Sequence, residues 1–537
     1  MTAPARWFLA LGLLCALGGQ ATAQDEHAGH GGLGSTFGRV HFSTSCTAAA
    51  QEQFDRAVAI LHSFFYPETE KAFRAVLERD PACAMAYWGI AISQRPNPLT
   101  APFPPDLLSQ GWIAIQQARG ATTATPRERD WIEALAVFFE DYDTLGQQTR
   151  SIRYESAMAR LHAKYPSDAE ASVFYALALL EAVDLRDRTY ARQLRAAGLL
   201  ERLQKALPEH PGIPHYLIHS YDYAPIAARG LPAARRYASL APSAPHALHM
   251  PSHTFSTLGM WRDAIAANLA ADEANRAYAA RTNPAAAANP ASVAARYHAL
   301  DFLENAYLQL GQDAPARRIV DERNSVSAFV GAASITAHTA FAAIPVRYAL
   351  DREAWREAAG LQPAPSPFKQ AEAVTWFGKA LGAARIGDVD GAVGALVELS
   401  ARQQALAGAG DPYWAEQVGI QETAAKGWIA LAEHRKADAT NLMRSAADRE
   451  DRTEKHIAME NRLSPMRELL GEMLLQVGLA KEALREFDAS LRAVPHRRRS
   501  LIGAIRAAEE SGNRRRAEAY RRQWDGQRRL ARPVEPE

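Results

Sequence analysis

Five histidines fall in two short stretches, His215-Tyr216-Leu217-Ile218-His219 and His246-Ala247-Leu248-His249-Met250-Pro251-Ser252-His253. Each stretch holds a pair four residues apart, and residues at i and i+4 share one face of a helix. Neutral imidazoles are transition-metal ligands, so two on one face are the beginning of a binding site. His215 and His249 are 34 residues apart, and so are His219 and His253. Pro211 and Pro245 keep the same offset, which puts the two pairs at equivalent places in consecutive repeats. The Leu310-Gly311 turn lies 52 residues beyond Leu258-Gly259, one repeat plus 18 inserted residues. Under that offset His298 corresponds to His246, Asp301 to His249 and Asn305 to His253.

The expected ligands are therefore His215, His219, His246, His249 and His253, with His298 and Asp301 as adjacent candidates. Asp301 would serve either as a ligand or as an acceptor that orients a histidine. Several neutral imidazoles suit copper, zinc, iron or nickel; copper or zinc is the first expectation and iron the next. An open coordination position would make the centre catalytic, for redox or hydrolytic chemistry; a closed shell would mean storage, delivery or sensing. The competing expectation is a metal-free adaptor whose groove holds a peptide or protein, with a small molecule as a further possible occupant. Peptide grooves mix Lys, Asn, Arg and aromatic side chains and do not concentrate imidazoles, which favours the metal.

The elements that must carry these side chains are helices in a 34-residue repeat. From Ser464 to His496, the residues Leu470, Gly471, Leu474, Ala483, Phe487 and Pro495 fall where the tetratricopeptide pattern wants Leu, Gly, apolar, Ala, aromatic and Pro. Small residues let two antiparallel helices approach, and proline ends the second. Weaker copies run through the chain, around Phe73 with Asp80-Pro81, around the Pro166-Ser167-Asp168 turn, and at Leu258–Ala264, Leu310–Ala316, Leu350–Ala358 and Ile386–Ala392. Apolar spacing is of the 3.6 kind throughout, so the expected fold is all-α, a helical solenoid of stacked antiparallel pairs. First helices line the concave face of such a solenoid. With Pro211, Pro245 and Tyr297 opening their repeats, His246 and His298 fall second, His215, His249 and Asp301 fifth, and His219 and His253 ninth. All are places that face the groove.

Residues 1–23 read as a cleaved export signal: Arg6, an apolar run from Trp7 to Leu17, then Ala21-Thr22-Ala23. That run is too short to span a membrane, and no later stretch approaches the length. The expected location is periplasmic or secreted. Residues 24–43, with His27, His30 and several glycines, read as a flexible tail. Residues 44–280 form a first array carrying the histidines, 281–296 an inserted Ala/Asn/Pro loop, and 297–537 a second array. Residues 362–370 hold three prolines and read as another insertion. In an oxidising compartment Cys46 and Cys83 are expected to form a disulfide. Lys and Arg number 61 against 60 Asp and Glu, so no polyanionic partner is implied, and the basic C-terminus reads as a solvated cap, not a nucleic-acid surface.

Other features carry less. His62 sits on the first helix of the opening repeat, at long range from the cluster. Arg347 occupies the place equivalent to His253 in the following repeat and could meet an anion. Tyr221, Tyr223 and Met250 read as packing residues, and His162, His338, His434, His456 and His496 as structural. Asp388-Val389-Asp390-Gly391 is a helix–helix turn, not a calcium loop. Neither a nucleophile elbow, a phosphate-binding loop, a haem-attachment motif nor a zinc-protease helix occurs.

The blocks His215–Asp222 ("HYLIHSYD") and Leu248–His253 ("LHMPSH"), together with Ala84 to Ile92, resemble a group of exported bacterial tetratricopeptide-repeat proteins. The resemblance extends over most of the chain beyond the leader. It implies the solenoid and export, and brings no activity with it.

Overall fold

The computed structural model describes residues 36–530 apart from Ala101, Ala332 and Asn461. The expected leader, His27 and His30 lie outside the described residues. Among the described residues there is no strand. Helices pair antiparallel along the chain, from Ala48–His62 with Tyr66–Arg79 to Arg498–Glu510 with Arg514–Leu530. This is a tetratricopeptide-type helical solenoid.

The small-residue positions account for the pairing. A Cβ on Gly471 would sit 2.9 Å from the Phe487 ring, and one on Gly503 2.3 Å from it. Gly89 stands in the same relation to Phe73, and Gly111 to Phe139. Each aromatic ring thus lies where a neighbouring helix has no side chain, and Phe73, Phe139 and Phe487 are fully buried. The turns repeat as well. Gly259 has φ +68° and Gly311 +71°, in the left-handed region. In each the chain closes with a 6→1 bond, Met260 N to Phe255 O at 2.8 Å and Gln312 N to Tyr307 O at 2.8 Å. At Gly259 a side chain would also strike the Pro495 carbonyl.

That contact reflects a larger feature: the late repeats fold back on the middle ones. Trp261 Nε1 donates to His496 O at 3.1 Å, Arg498 N to Gln309 Oε1 at 2.9 Å, and Arg497 Nη2 to Asp351 Oδ1 at 2.8 Å. The connection between helices Lys436–Glu450 and Met466–Gln476 crosses to the early repeats. Glu454 N donates to Leu185 O at 2.8 Å, Arg188 pairs with Glu454 at 2.7 Å, and Lys455 Nζ with Asp222 at 2.8 Å. That connection therefore ties the late repeats to the early ones beside Asp222.

Two expectations change in detail. Residues 36–43, assigned to the flexible tail, are packed: Phe42 is fully buried against Phe54, Trp88 and Trp131, and Arg39 N donates to Glu209 O at 2.9 Å. Aromatic burial outweighs the glycines that suggested mobility. The inserted loop 281–296 contains a short helix, Pro284–Ala287, started by the Asn283 side chain accepting from Ala286 N. The disulfide joins Cys46 to Cys83, 37 residues apart. Closing a loop of that length stabilises by about 3–4 kcal/mol, and here it ties the first helical pair to the next.

Candidate metal centre

The helix Gly212–Tyr221 carries His215 and His219. The next repeat carries its histidines on Pro245–His249 and Pro251–Thr257. Pro251 has no N–H to donate and interrupts the ladder, but Met250 keeps right-handed helical angles, so the helix runs on in line. His249 and His253 thus stay on one face, ring centroids 5.0 Å apart. His298 and Asp301 lie on Arg296–Gln309.

The six imidazoles divide into two triads. His215, His219 and His246 form one, and His249, His253 and His298 the other; in each, one ligating atom per residue lies within 4.8 Å of the rest. Both are built alike: the i, i+4 pair of one repeat plus the second-place histidine of the next. His215 Nε2 lies 3.1 Å from His219 Nε2 and 3.2 Å from His246 Nε2. His249 Nε2 lies 3.1 Å from His253 Nε2. Two nitrogens bound to one ion at about 2.0–2.1 Å, with angles between 90° and tetrahedral, stand about 2.9–3.4 Å apart.

Outer partners decide which nitrogen carries the proton. His249 Nδ1 faces Asn268 Oδ1 at 2.7 Å, and Asn268 Nδ2 is committed to Ala264 O, which fixes the amide's orientation. His253 Nδ1 faces Asp222 Oδ2 at 2.9 Å, and His215 Nδ1 faces the His62 carbonyl at 2.6 Å. All three acceptors can only accept, so each Nδ1 donates and each Nε2 presents a lone pair. His249 and His253 therefore aim two lone pairs at one point from 3.1 Å. Two acceptors cannot bond to each other; they can share a cation.

Burial holds all six rings well below the ordinary imidazole range, with neighbouring imidazoles adding to the effect on all but His249. His249 is pushed down to about 4 by burial, its bond to Asn268 opposing. Neutral rings are the metal-binding form. His215, His219, His249 and His253 are at most 4% exposed, whereas His246 and His298 are half-buried, giving each triad one ring at the edge.

These shifts give a pH prediction. Below pH about 6.5 an unfolded chain protonates these rings, while the folded metal-free protein keeps His249 neutral down to about 4. Stability is then complete above neutrality and falls as pH drops through that window. Thermal melts of metal-free protein should lose several degrees between pH 7.5 and 5. A variant with His249 and His298 changed to Gln should show a shallower slope; equal slopes would disprove the link.

Asp301 joins neither triad. Its Oδ1 accepts from Arg347 Nε at 3.3 Å, in a buried group with Glu304 and Glu460. Arg347 is accordingly tied to carboxylates, not presented to an anion in the groove. His62, read as remote, pairs through Nε2 with Glu170 at 2.9 Å, and His210 pairs with the other Glu170 oxygen at 2.8 Å. His62 Nδ1 meets Tyr216 Oη, and His210 Nδ1 accepts from Gly212 N. Every nitrogen here has a hydrogen-bond partner, so this third group is a structural network whose effect on the centre is to place the His62 carbonyl. Gly212 is required beside it, since a Cβ there would lie 2.8 Å from His62 Nδ1.

Asp222 and Asn268 are the outer partners of the candidate centre that the spacing did not reveal. Asp222 lies three residues past His219, a hint without a partner until the fold supplies His253 and Lys455. Asp222→Asn should weaken metal binding by about 10–100-fold, the usual effect of losing an orienting carboxylate. Competition titration with a chromophoric chelator measures this; unchanged affinity would remove Asp222 from the centre.

No family model matches the chain, and neither does any curated protein. Among solved structures it is similar to the crystal structure of Ypp1, at 9% identity and TM-score 0.43 over 89% of this chain and 81% of that one. It is similar to the human IFIT1 dimer with PPP-AAAA at 12% identity and TM-score 0.37, over 84% and 91%. The P58(IPK) TPR domain gives 11% identity and TM-score 0.19, over 87% and 99%. These are likenesses of backbone at low scores, and the histidine centre draws nothing from them.

Proposed function

We propose that this chain is an extracytoplasmic metalloprotein whose solenoid holds two transition-metal ions, one in each histidine triad. The observation that carries this is the pair of lone pairs on His249 and His253 converging at 3.1 Å, with the same arrangement of Nε2 atoms repeated in the first triad. Copper is the favoured ion, because divalent affinities at nitrogen sites peak there and no carboxylate or thiolate enters either triad. Zinc is next. Three protein ligands leave room for a fourth, the arrangement of catalytic sites and not of closed structural ones. Placement outside the cytoplasm rests on the leader-like first 23 residues.

Metal would be held by His215, His219 and His246 in one triad and by His249, His253 and His298 in the other. Asp222, Asn268 and the His62 carbonyl keep the rings turned so that Nε2 points inward. When bound, a redox-active metal would supply electron transfer and a Lewis acid would polarise a substrate oxygen. An adaptor reading needs an accessible trough, and the bridge from Glu454 and Lys455 to Leu185 and Asp222 works against one beside the histidines.

Elemental analysis of protein purified without a histidine tag tests the proposal. It is run beside a variant with His215, His219, His249 and His253 changed to Ala, both verified as helical by circular dichroism. Two ions per chain in the native protein and none in the variant is the expected result. Native protein that holds no metal after exposure to copper, zinc and iron would overturn the proposal and send the search to peptide partners.

A further inference from the structure

The two triads are not separate sites. Ring centroids across the divide, His219 to His253 at 6.0 Å and His246 to His249 at 6.2 Å, are as close as those inside a triad, which run from 4.7 to 6.5 Å. Ions seated in both would be neighbours in one buried volume. All six ligands are neutral, so nothing in the ligand set offsets the metal charge. The nearest carboxylates are committed elsewhere: Asp222 to His253, Lys455 and Thr257, and Asp301 to Arg347. Lys455 matches the Asp222 charge, so that pair offsets none of the metal charge. Two monovalent ions can share such a space. Two divalent ions repel with four times the charge product, in surroundings that screen poorly, and call for an anion between them. No side chain of either triad supplies one.

Resting on the two-ion reading, we infer that the centre is a coupled dicopper site whose substrate is dioxygen, bound as the bridge between the ions. In the step, each Cu(I) gives one electron. The π bond of O=O is lost, the O–O single bond remains, and the product is a peroxide dianion shared by two Cu(II). Charge balances without a proton: two single positive charges and a neutral molecule become two double positive charges and a double negative one. His246 and His298 are the partly exposed rings, one per triad, and the 454–455 bridge to Leu185 and Asp222 narrows the approach.

The test loads the purified protein with Cu(I) under anaerobic conditions, measures copper per chain, and then admits dioxygen. Expected are two coppers per chain, uptake of one dioxygen per copper pair, a new near-ultraviolet absorption, and no paramagnetic Cu(II) signal because the two spins couple. The His298→Ala protein should hold a single copper and take up none. Two coppers that oxidise to give the full signal of isolated Cu(II), or that take up no dioxygen, would overturn the inference and leave the two-ion reading standing. Protein that accepts two zinc ions but refuses Cu(I) would do the same. Protein that binds no metal would overturn both.

Discussion

Changing His253 to Ala should reduce the metal content from two ions per chain to one, and changing His215 to Ala should do the same from the other side. Each residue belongs to a single triad, and each anchors it by a short Nε2 contact, 3.1 Å in both cases. His253→Ala leaves His249 and His298, a pair too few to hold an ion against competing chelators; the loss exceeds the 10–100-fold expected of an outer partner. The double variant should hold none. Circular dichroism must show each variant to be as helical as the native protein, because His253 packs on Phe302 and His215 on Tyr237 and truncation removes those contacts. The readout is elemental analysis after dialysis against a mild chelator. Retention of both ions in both single variants would mean that these imidazoles are not ligands.

The second large effect falls outside the centre, at Arg347. Its guanidinium lies 3.3 Å from Asp301, 3.7 Å from Glu304 and 3.7 Å from Glu460, and all four side chains are at most 1% exposed. Burial pushes the three carboxyl groups upward, Glu460 to about 7, and Arg347 is the chief influence holding them down. Arg347→Met leaves buried carboxylates uncompensated and should cost about 3–5 kcal/mol. Sign follows from linkage: a carboxyl raised in the folded state costs nothing while both states are protonated, and it destabilises progressively as pH rises from its unfolded value through its folded one. The variant should therefore lose more stability at pH 8 than at pH 5, measured by urea unfolding at both. Arg347→Lys, which keeps the charge, should recover part of the loss. A pH-independent deficit would assign Arg347 to packing alone.

The sequence by itself determined the repeat, the helical class and the six histidines that the fold brings together. Spacing of 34 residues between His215 and His249 could be read directly, because helical repeats place equivalent residues in equivalent surroundings. Turn glycines such as Gly259 and Gly311 were legible for a local reason: a left-handed turn tolerates few other residues. Cys46 and Cys83 were legible because they are the only two cysteines after residue 23. Tertiary structure decided what depends on rotation between neighbouring repeats. It separated six histidines into two triads, turned Asp301 away toward Arg347, and drew in Asp222 and Asn268 as outer partners. It also brought Lys455, more than 200 residues distant, onto Asp222, and packed residues 36–43 that glycine content had marked as loose. Periodicity reports which face a side chain occupies. How far each repeat turns and slides on the next is set by the whole interface, and that decides which atoms on the face meet.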